Sequence, residues 1–219
     1  MAHILAVNIG VAEPTEHSDP GVTGIRKRPV GGPVMVCSPA AGSGLAGDAV
    51  CDRRVHGGFD QAVYAYASED LADWSARLGR TLEPGLFGEN LTTWGVDVSG
   101  ALIGEVWQVG AVTLEVSTPR IPCRTFAAAM GEPDWVRRFT KVGAPGAYLR
   151  VLVSGEVRAG DEVRVVSRPE HTVTIGLTFR ALTGQAELLP ALLAAPGHPE
   201  RIRQKVLRRL AEPEAMPAV

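Results

Sequence analysis

The stretch Ser117-Thr118-Pro119-Arg120-Ile121-Pro122-Cys123-Arg124 decides how the chain around it is read. Val112 to Val116 alternates as a strand and feeds into it. Pro119 and Pro122 have no N–H to donate, so sheet pairing is expected to stop there. Arg124 to Met130 reads as a short helix closed by Gly131. Cys123 therefore falls at a strand end, close to a helix N-terminus, between Arg120 and Arg124. The neighbouring positive charge and the unpaired N–H groups of a first helical turn both favour thiolate over thiol. A thiolate is a nucleophile or a soft metal ligand. The competing reading is a cysteine that fills space near a barrel rim, as many unpaired cysteines do.

Upstream of this stretch, Ile103 to Val109 and Val112 to Val116 alternate and join at Gly110, which reads as a β-hairpin. Met1 to Gly10 is an opening strand, and Val11 to Gly24 is expected as loop because of Pro14, Pro20, Gly21 and Gly24. Arg26, Lys27 and Arg28 follow Thr23-Gly24-Ile25, either as an anion contact or as a solvated turn. Val34 to Val36 is a short strand. The turn-dense run Gly42 to Asp52 leads to Val55-His56-Gly57-Gly58-Phe59-Asp60. Glycines after a histidine allow backbone N–H groups to approach a ligand as an anion nest; a lone histidine beside a turn is also a common structural residue. Ala62 to Ala67 reads as a strand, Ser68 as the N-cap of a helix that buries Leu71, Trp74 and Leu78, and Gly79 as its end. In Gly85-Leu86-Phe87-Gly88-Glu89-Asn90-Leu91-Thr92, the carboxylate and amide either orient a polar ligand or satisfy the backbone of the turn.

Downstream, Pro133 opens a helix with Trp135, Val136 and Phe139 on its apolar face, and Tyr148 to Val153 and Glu162 to Val166 read as strands. After Pro169 the chain is helix-capable, in segments Gly176 to Thr183, Ala186 to Ala194 and Pro199 to Leu210. Ile202, Val206 and Leu210 mark one apolar face of the last segment. Arg201, Arg203, Lys205, Arg208 and Arg209 mark the other, partly offset by Glu200, Glu212 and Glu214, and this face is read as solvated.

The frequency of glycine (25) and proline (16) suits a turn-rich β architecture more than a helical bundle. A formal net charge of −2 argues against a surface built to coat nucleic acid or anionic membrane, so any anion site is local. The apolar runs are too short and broken to span a bilayer. Cys37, Cys51 and Cys123 lie far apart with no Cys-x-x-Cys pair, which excludes the usual structural zinc pattern. An odd cysteine count without a signal peptide points to a reducing cytoplasm.

Taken in order, Thr-Gly-Ile-x-Lys, His-Gly-Gly, Phe-Gly-Glu-Asn-Leu, Pro-Arg-x-Pro-Cys and Pro-Gly-Ala-Tyr-Leu-Arg resemble the MOSC domain family, named for the C-terminal part of molybdenum cofactor sulfurase. The resemblance is closest to its stand-alone bacterial subgroup of the YiiM type. It implies a mainly β fold with peripheral helices: a closed or nearly closed β-barrel like the β-domain of pyruvate kinase, over residues 1–168. It also implies a small C-terminal three-helix domain over residues 169–219. The family's known enzymes reduce N-hydroxylated compounds, hydroxylaminopurine bases among them, to amines. Cys123 takes the position of the family's molybdenum ligand. The cofactor implied is the molybdenum cofactor (molybdopterin), an anionic pterin dithiolene; pyridoxal phosphate is not expected. Lys27, Arg120 and Arg124 suit its negative charge, the His56-Gly57-Gly58 backbone its acceptors, and Asn90 its pterin edge. His56 is the candidate proton donor, since imidazole titrates near neutrality. The expected partners are a small N-hydroxylated substrate and an electron-donor protein or flavin reductase, with no membrane, no nucleic acid, and a homodimer as the assembly.

Three other readings keep Cys123 or the basic helix and change the chemistry. Cys123 as a persulfide would carry sulfur to metal–sulfur centres. Cys123 with His56 as base would make a cysteine hydrolase, although the sequence identifies no third member. A non-catalytic module would bind a partner through the last helix.

Overall fold

The computed structural model describes residues 1–211. The chain opens with strands β1 (His3–Gly10), β2 (Glu13–Pro14), β3 (Val22–Thr23), β4 (Lys27–Pro29) and β5 (Val34–Val36). A 3₁₀ turn, Phe59–Gln61, leads into β6 (Val63–Ala67), helix α1 (Ser68–Leu78) and β7 (Leu91–Trp94). Then come β8 (Val106–Val109), β9 (Val112–Pro119), α2 (Arg124–Met130), α3 (Trp135–Val142), β10 (Ala147–Val153), β11 (Gly155–Val157) and β12 (Val163–Ser167). The described chain ends with α4 (Ile175–Thr183), a 3₁₀ segment Ala186–Ala194 and α5 (Glu200–Ala211).

Eight strands form one mixed sheet in the order β12-β8-β9-β10-β6-β7-β1-β4. Its pairs are antiparallel except β6 with β7, which run parallel from Ala65↔Leu91 to Ala67↔Thr93. Parallel neighbours need a long crossover, and α1 supplies it. The fold is thus mainly β with peripheral helices, but the closed barrel is not found. The sheet ends at β12 and β4, and β1 meets the approach to β12 through the bridge His3↔Glu162. Backbone bonds Ile4 N–H to Asp161 C=O and Val163 N–H to Ala2 C=O, both 2.9 Å, flank that bridge. A third bond, Gly160 N–H to Ile4 C=O at 2.8 Å, comes from the turn at residues 159–160, where Gly160 sits at φ 91°, and the chain turns away there before a continuous ladder can form.

Two apolar clusters hold the sheet, and β6 faces both. Val63, Ala65 and Ala67 join the aliphatic cluster of Ile4, Leu91, Leu114, Val116 and Leu149. Tyr64 and Tyr66 point the other way, into an aromatic cluster of Trp74, Phe87, Phe126, Trp135 and Phe139 roofed by α1, α2 and α3. Trp74 and Trp135 lie 4.6 Å apart there, and Phe126 and Phe139 5.1 Å apart in edge-to-face contact. The helices after Pro169 feed the same interior: Ile175, Leu182, Leu189, Ile202 and Val206 belong to the aliphatic cluster and Phe179 to the aromatic one.

Several local expectations change. Pairing runs through Pro119, opposite Ala147, because the missing N–H falls on the final residue of β9. Ser68 is the first residue of α1, not its cap; the strand runs straight into the helix, Ala67 takes the cap position, and the Ser68 hydroxyl bonds Glu69 instead. Val136 is 41% exposed, since α3 begins only at Trp135 and buries Trp135 and Phe139. Glu212 and Glu214 lie outside the described residues. Among the described residues no helix is long and apolar enough to cross a membrane.

Candidate ligand cavity around Cys123

Where β9 ends, the chain takes four residues to turn into α2, and Cys123 is the last of them, extended at φ −127°, ψ 171°. Its carbonyl accepts the Ala127 N–H at 3.0 Å, and its half-buried thiol lines a cavity of about 610 Å³. Burial pushes the thiol pKa up, but hydrogen bonding from His56, the Arg120 charge and the Phe126 N–H together bring it down to about 6 from an ordinary 9.0. The charge and helix-end effects argued from the local sequence are both present, and His56 adds a third.

Arg120 is 6% exposed and lies over the Phe126 ring at 3.9 Å from its centroid, with Tyr64 at 5.3 Å. Its Nη1 donates to the Phe87 carbonyl, and its buried Nε has no partner among the described residues. The other cationic side chains of the cavity wall are matched by carboxylates: Lys27 by Asp48, Arg54 by Asp52 and Asp19, Arg124 by Asp19. Among the described residues, Arg120 alone of these has no acidic partner.

Of the three adjacent basic residues, strand alternation turns Lys27 inward and leaves Arg26 and Arg28 exposed. Lys27 is held against Asp48, itself fixed by the Gly10 N–H (2.8 Å) and the Asn90 amide (2.9 Å). Burial lowers the Lys27 pKa and Asp48 opposes the fall. Asn90 lines the cavity, but its side chain is committed: Oδ1 accepts the Tyr64 N–H at 3.1 Å while Nδ2 serves Asp48. It positions Asp48 and β6 rather than offering a vacant edge to a ligand. Glu89 is buried and satisfies the turn, accepting from the Gly85 and Phe87 N–H groups and the Thr92 hydroxyl.

His56 and Gly57 line the cavity and Gly58 does not. The Gly58 N–H donates to the Gly42 carbonyl at 2.8 Å, so it is not available to an anion nest. Gly57 sits at φ 78°, and a Cβ there would lie 2.3 Å from the Gly42 carbonyl oxygen. These glycines let two loops touch backbone to backbone, which sets His56 beside Cys123. Arg124 is 65% exposed at the mouth, where it bonds the His17 carbonyl at 3.2 Å.

The cavity thus gathers Lys27, His56, Gly57, Asn90, Arg120, Cys123 and Arg124. Sequence reading did not single out Asp48, Tyr64 or Tyr148 as wall residues. The alternation of Tyr64 and Tyr66 against small residues was the available signal for Tyr64; Asp48 had none beyond its place among turn glycines. The set suits an anionic ligand: a thiolate donor, an inner cation without a carboxylate partner, and aromatic walls. Among the described residues no group of three His, Cys, Asp or Glu side chains is placed to cage a metal, so Cys123 would offer a metal one protein ligand.

Residues 52–164 match the model of the MOSC domain. YflK of Bacillus subtilis is 33% identical over 190 residues, 86% of this chain and 84% of that protein. A Gibberella moniliformis protein named Reductase is 34% identical over 151 residues, 66% of this chain but 26% of its own length. The crystal structure of YiiM from Geobacillus stearothermophilus is similar at a TM-score of 0.78 and 27% identity, covering 96% of this chain and all of that one.

Proposed function

Because the chain belongs to the MOSC domain family, we propose that it binds a molybdenum cofactor in the Cys123 cavity and reduces N-hydroxylated compounds to amines. The observation that carries this reading is Arg120: a buried guanidinium with no acidic partner, beside a cysteine whose pKa is drawn down to about 6. The Cys123 thiolate is the anion set against that guanidinium; binding a metal through the sulfur would draw off its charge and leave Arg120 to be compensated by an anionic group on the ligand. The relative named Reductase supports oxidoreductase chemistry at the family level.

Cys123 would hold the metal through sulfur, and Arg120 would face the cofactor's anionic edge, with Gly57 and Arg124 nearer the mouth. When bound, such a cofactor supplies a two-electron couple able to take up the hydroxylamine oxygen. The overall change is R–NHOH plus two electrons and two protons to R–NH₂ and water. His56, at the cavity wall, is the candidate donor of one of these protons. Tyr64 and Tyr148, with ring centroids 5.0 Å apart and planes tilted by 35°, form an aromatic wall on which a planar base could stack. The electrons would come from a donor protein or a flavin reductase.

The test is expression in hosts with and without molybdenum cofactor synthesis, with molybdenum content and reduction of a hydroxylaminopurine base measured on each product. Near-stoichiometric metal and turnover are expected only from the competent host, and loss of both in Cys123→Ser. A Cys123→Ser protein that keeps its metal and activity overturns the ligand assignment; a wild-type protein from the competent host with neither overturns the reading.

A further inference from the structure

A strap crosses the mouth of the cavity. Residues 11–24 leave β1, fold back through β2 and β3, and rejoin the sheet at β4. Thr15 N–H to Gly21 C=O and Gly21 N–H to Ser18 C=O, both 2.9 Å, close the tip. The tip reaches the start of α2, where the His17 carbonyl accepts from Arg124 Nε at 3.2 Å and from the Thr125 hydroxyl at 2.8 Å. The Asp19 carboxylate is divided between two arginines, Oδ2 accepting from Arg54 at 3.2 Å and Oδ1 from Arg124 at 3.5 Å. Arg54 lies two residues before His56 and Arg124 directly follows Cys123, so this one carboxylate ties together the two walls that carry them.

The geometry points to an anion-binding site formed by Arg54 and Arg124 at the cavity mouth, which Asp19 occupies as a built-in stand-in and which a phosphoryl-bearing ligand takes over by displacing Asp19 and lifting the strap. A phosphoryl group offers more oxygens and more charge to two guanidinium forks than a shared carboxylate does. The strap is lightly held. No residue from 15 to 21 is buried, and the Asp19, Arg54 and Arg124 side chains are 69%, 68% and 65% exposed. Ion pairs that exposed contribute little, and a segment without buried apolar contacts opens readily. Arg54 keeps its aim when Asp19 leaves, because Asp52 holds its Nε at 3.0 Å and its Nη2 at 3.1 Å. Further in, the unpartnered Nε of Arg120 leaves positive charge that Asp19 does not neutralise and that draws an anion past the mouth.

The phosphoryl group could belong to a resident cofactor or to a nucleotide-like substrate, and the same measurement tells them apart. Inorganic pyrophosphate is the probe, its affinity is read by calorimetry on the full chain, and hydrogen exchange is followed across residues 15–21. Neither molybdenum nor turnover enters the readout, so failure here is distinct from failure of the reductase reading. Asp19→Asn should bind pyrophosphate roughly three- to tenfold more tightly than wild type, and adding Arg54→Gln or Arg124→Gln should abolish the gain. Pyrophosphate should speed exchange in residues 15–21 of wild type to the level of unliganded Asp19→Asn. If protein purified with cofactor no longer binds the probe, the site serves the cofactor's phosphate; if it still binds, the site serves substrate. Unchanged affinity in Asp19→Asn, or a strap whose exchange ignores the probe, overturns the proposal.

Discussion

Cys123 shows how much of one side chain's chemistry its near neighbours carry. Arg120 and the start of α2 are adjacent in the chain, so their pull toward thiolate is readable from Pro119 to Arg124. His56 is 67 positions away, and only folding brings it to the sulfur. The lowered pKa makes the thiolate the main form above about pH 6, and the thiol the main form below it. Alkylation of Cys123 by iodoacetamide, followed by peptide mass mapping, should therefore rise through a midpoint near pH 6, ahead of Cys51, whose thiol is pushed up by burial. His56→Ala removes a group that favours the charged form, so its midpoint moves upward and its rate at pH 6 falls by roughly three- to tenfold. A midpoint unmoved by that substitution would remove His56 from the thiol's surroundings. Arg120 makes the complementary point. Its neighbourhood to Cys123 is plain in the sequence, but its burial on Phe126 without an acidic partner is a property of packing.

At the scale of elements, the site depends on loops brought together by glycine and on a strand with two faces. The His-Gly-Gly run reads in sequence as a ligand nest, yet the Gly58 N–H is spent on Gly42. The left-handed φ of Gly57 and its contact with the Gly42 carbonyl have a structural purpose: they fix the loop that carries His56. Gly57→Ala would strain the backbone and push two loops apart, at a cost of about 1–3 kcal/mol in unfolding free energy. Chemical denaturation measures that cost, and the same variant should show an upward shift of the Cys123 alkylation midpoint as His56 moves off. A stability within error of wild type would mean the loop relaxes without strain. β6 explains why a short strand matters so much. Its apolar alternation was legible from Ala62 to Ala67, but burial on both faces was not, because tyrosine reads equally well as a solvent-side residue.

Across the whole molecule, the segments after Pro169 decide whether the protein behaves as one unit. Their composition marks them off from the strand-rich part, and their helical pattern was legible to within a residue or two at several ends. Their packing was not: Ile202 and Val206 join the cluster that holds Ile4 and Leu149. Ile202→Ala should lower stability by about 2–4 kcal/mol, in a single cooperative transition seen alike by near-ultraviolet and far-ultraviolet dichroism. Two separated transitions would instead show that residues 169–219 fold as a domain apart. The sheet carries a related lesson. A closed barrel asks for a continuous ladder all the way round, whereas β1 and the approach to β12 share one bridge and three backbone bonds beside the Gly160 turn.

What the sequence by itself determined is local: alternating strands, the helix from Arg124 to Met130 with its glycine end, the turn-rich β character, and a cysteine flanked by arginines. These follow from dihedral preference, missing N–H groups and side-chain period, which act over a few residues. The order of motifs added the family. Only the tertiary structure decided that Lys27 and not its neighbours faces inward, that Asn90 and Gly58 are spent within the fold, that His56 reaches the sulfur, and that Arg120 is buried without a carboxylate partner. Each of those is a question of which polar group is already paired, and pairing is settled by residues tens of positions apart that meet only when the apolar clusters close around them.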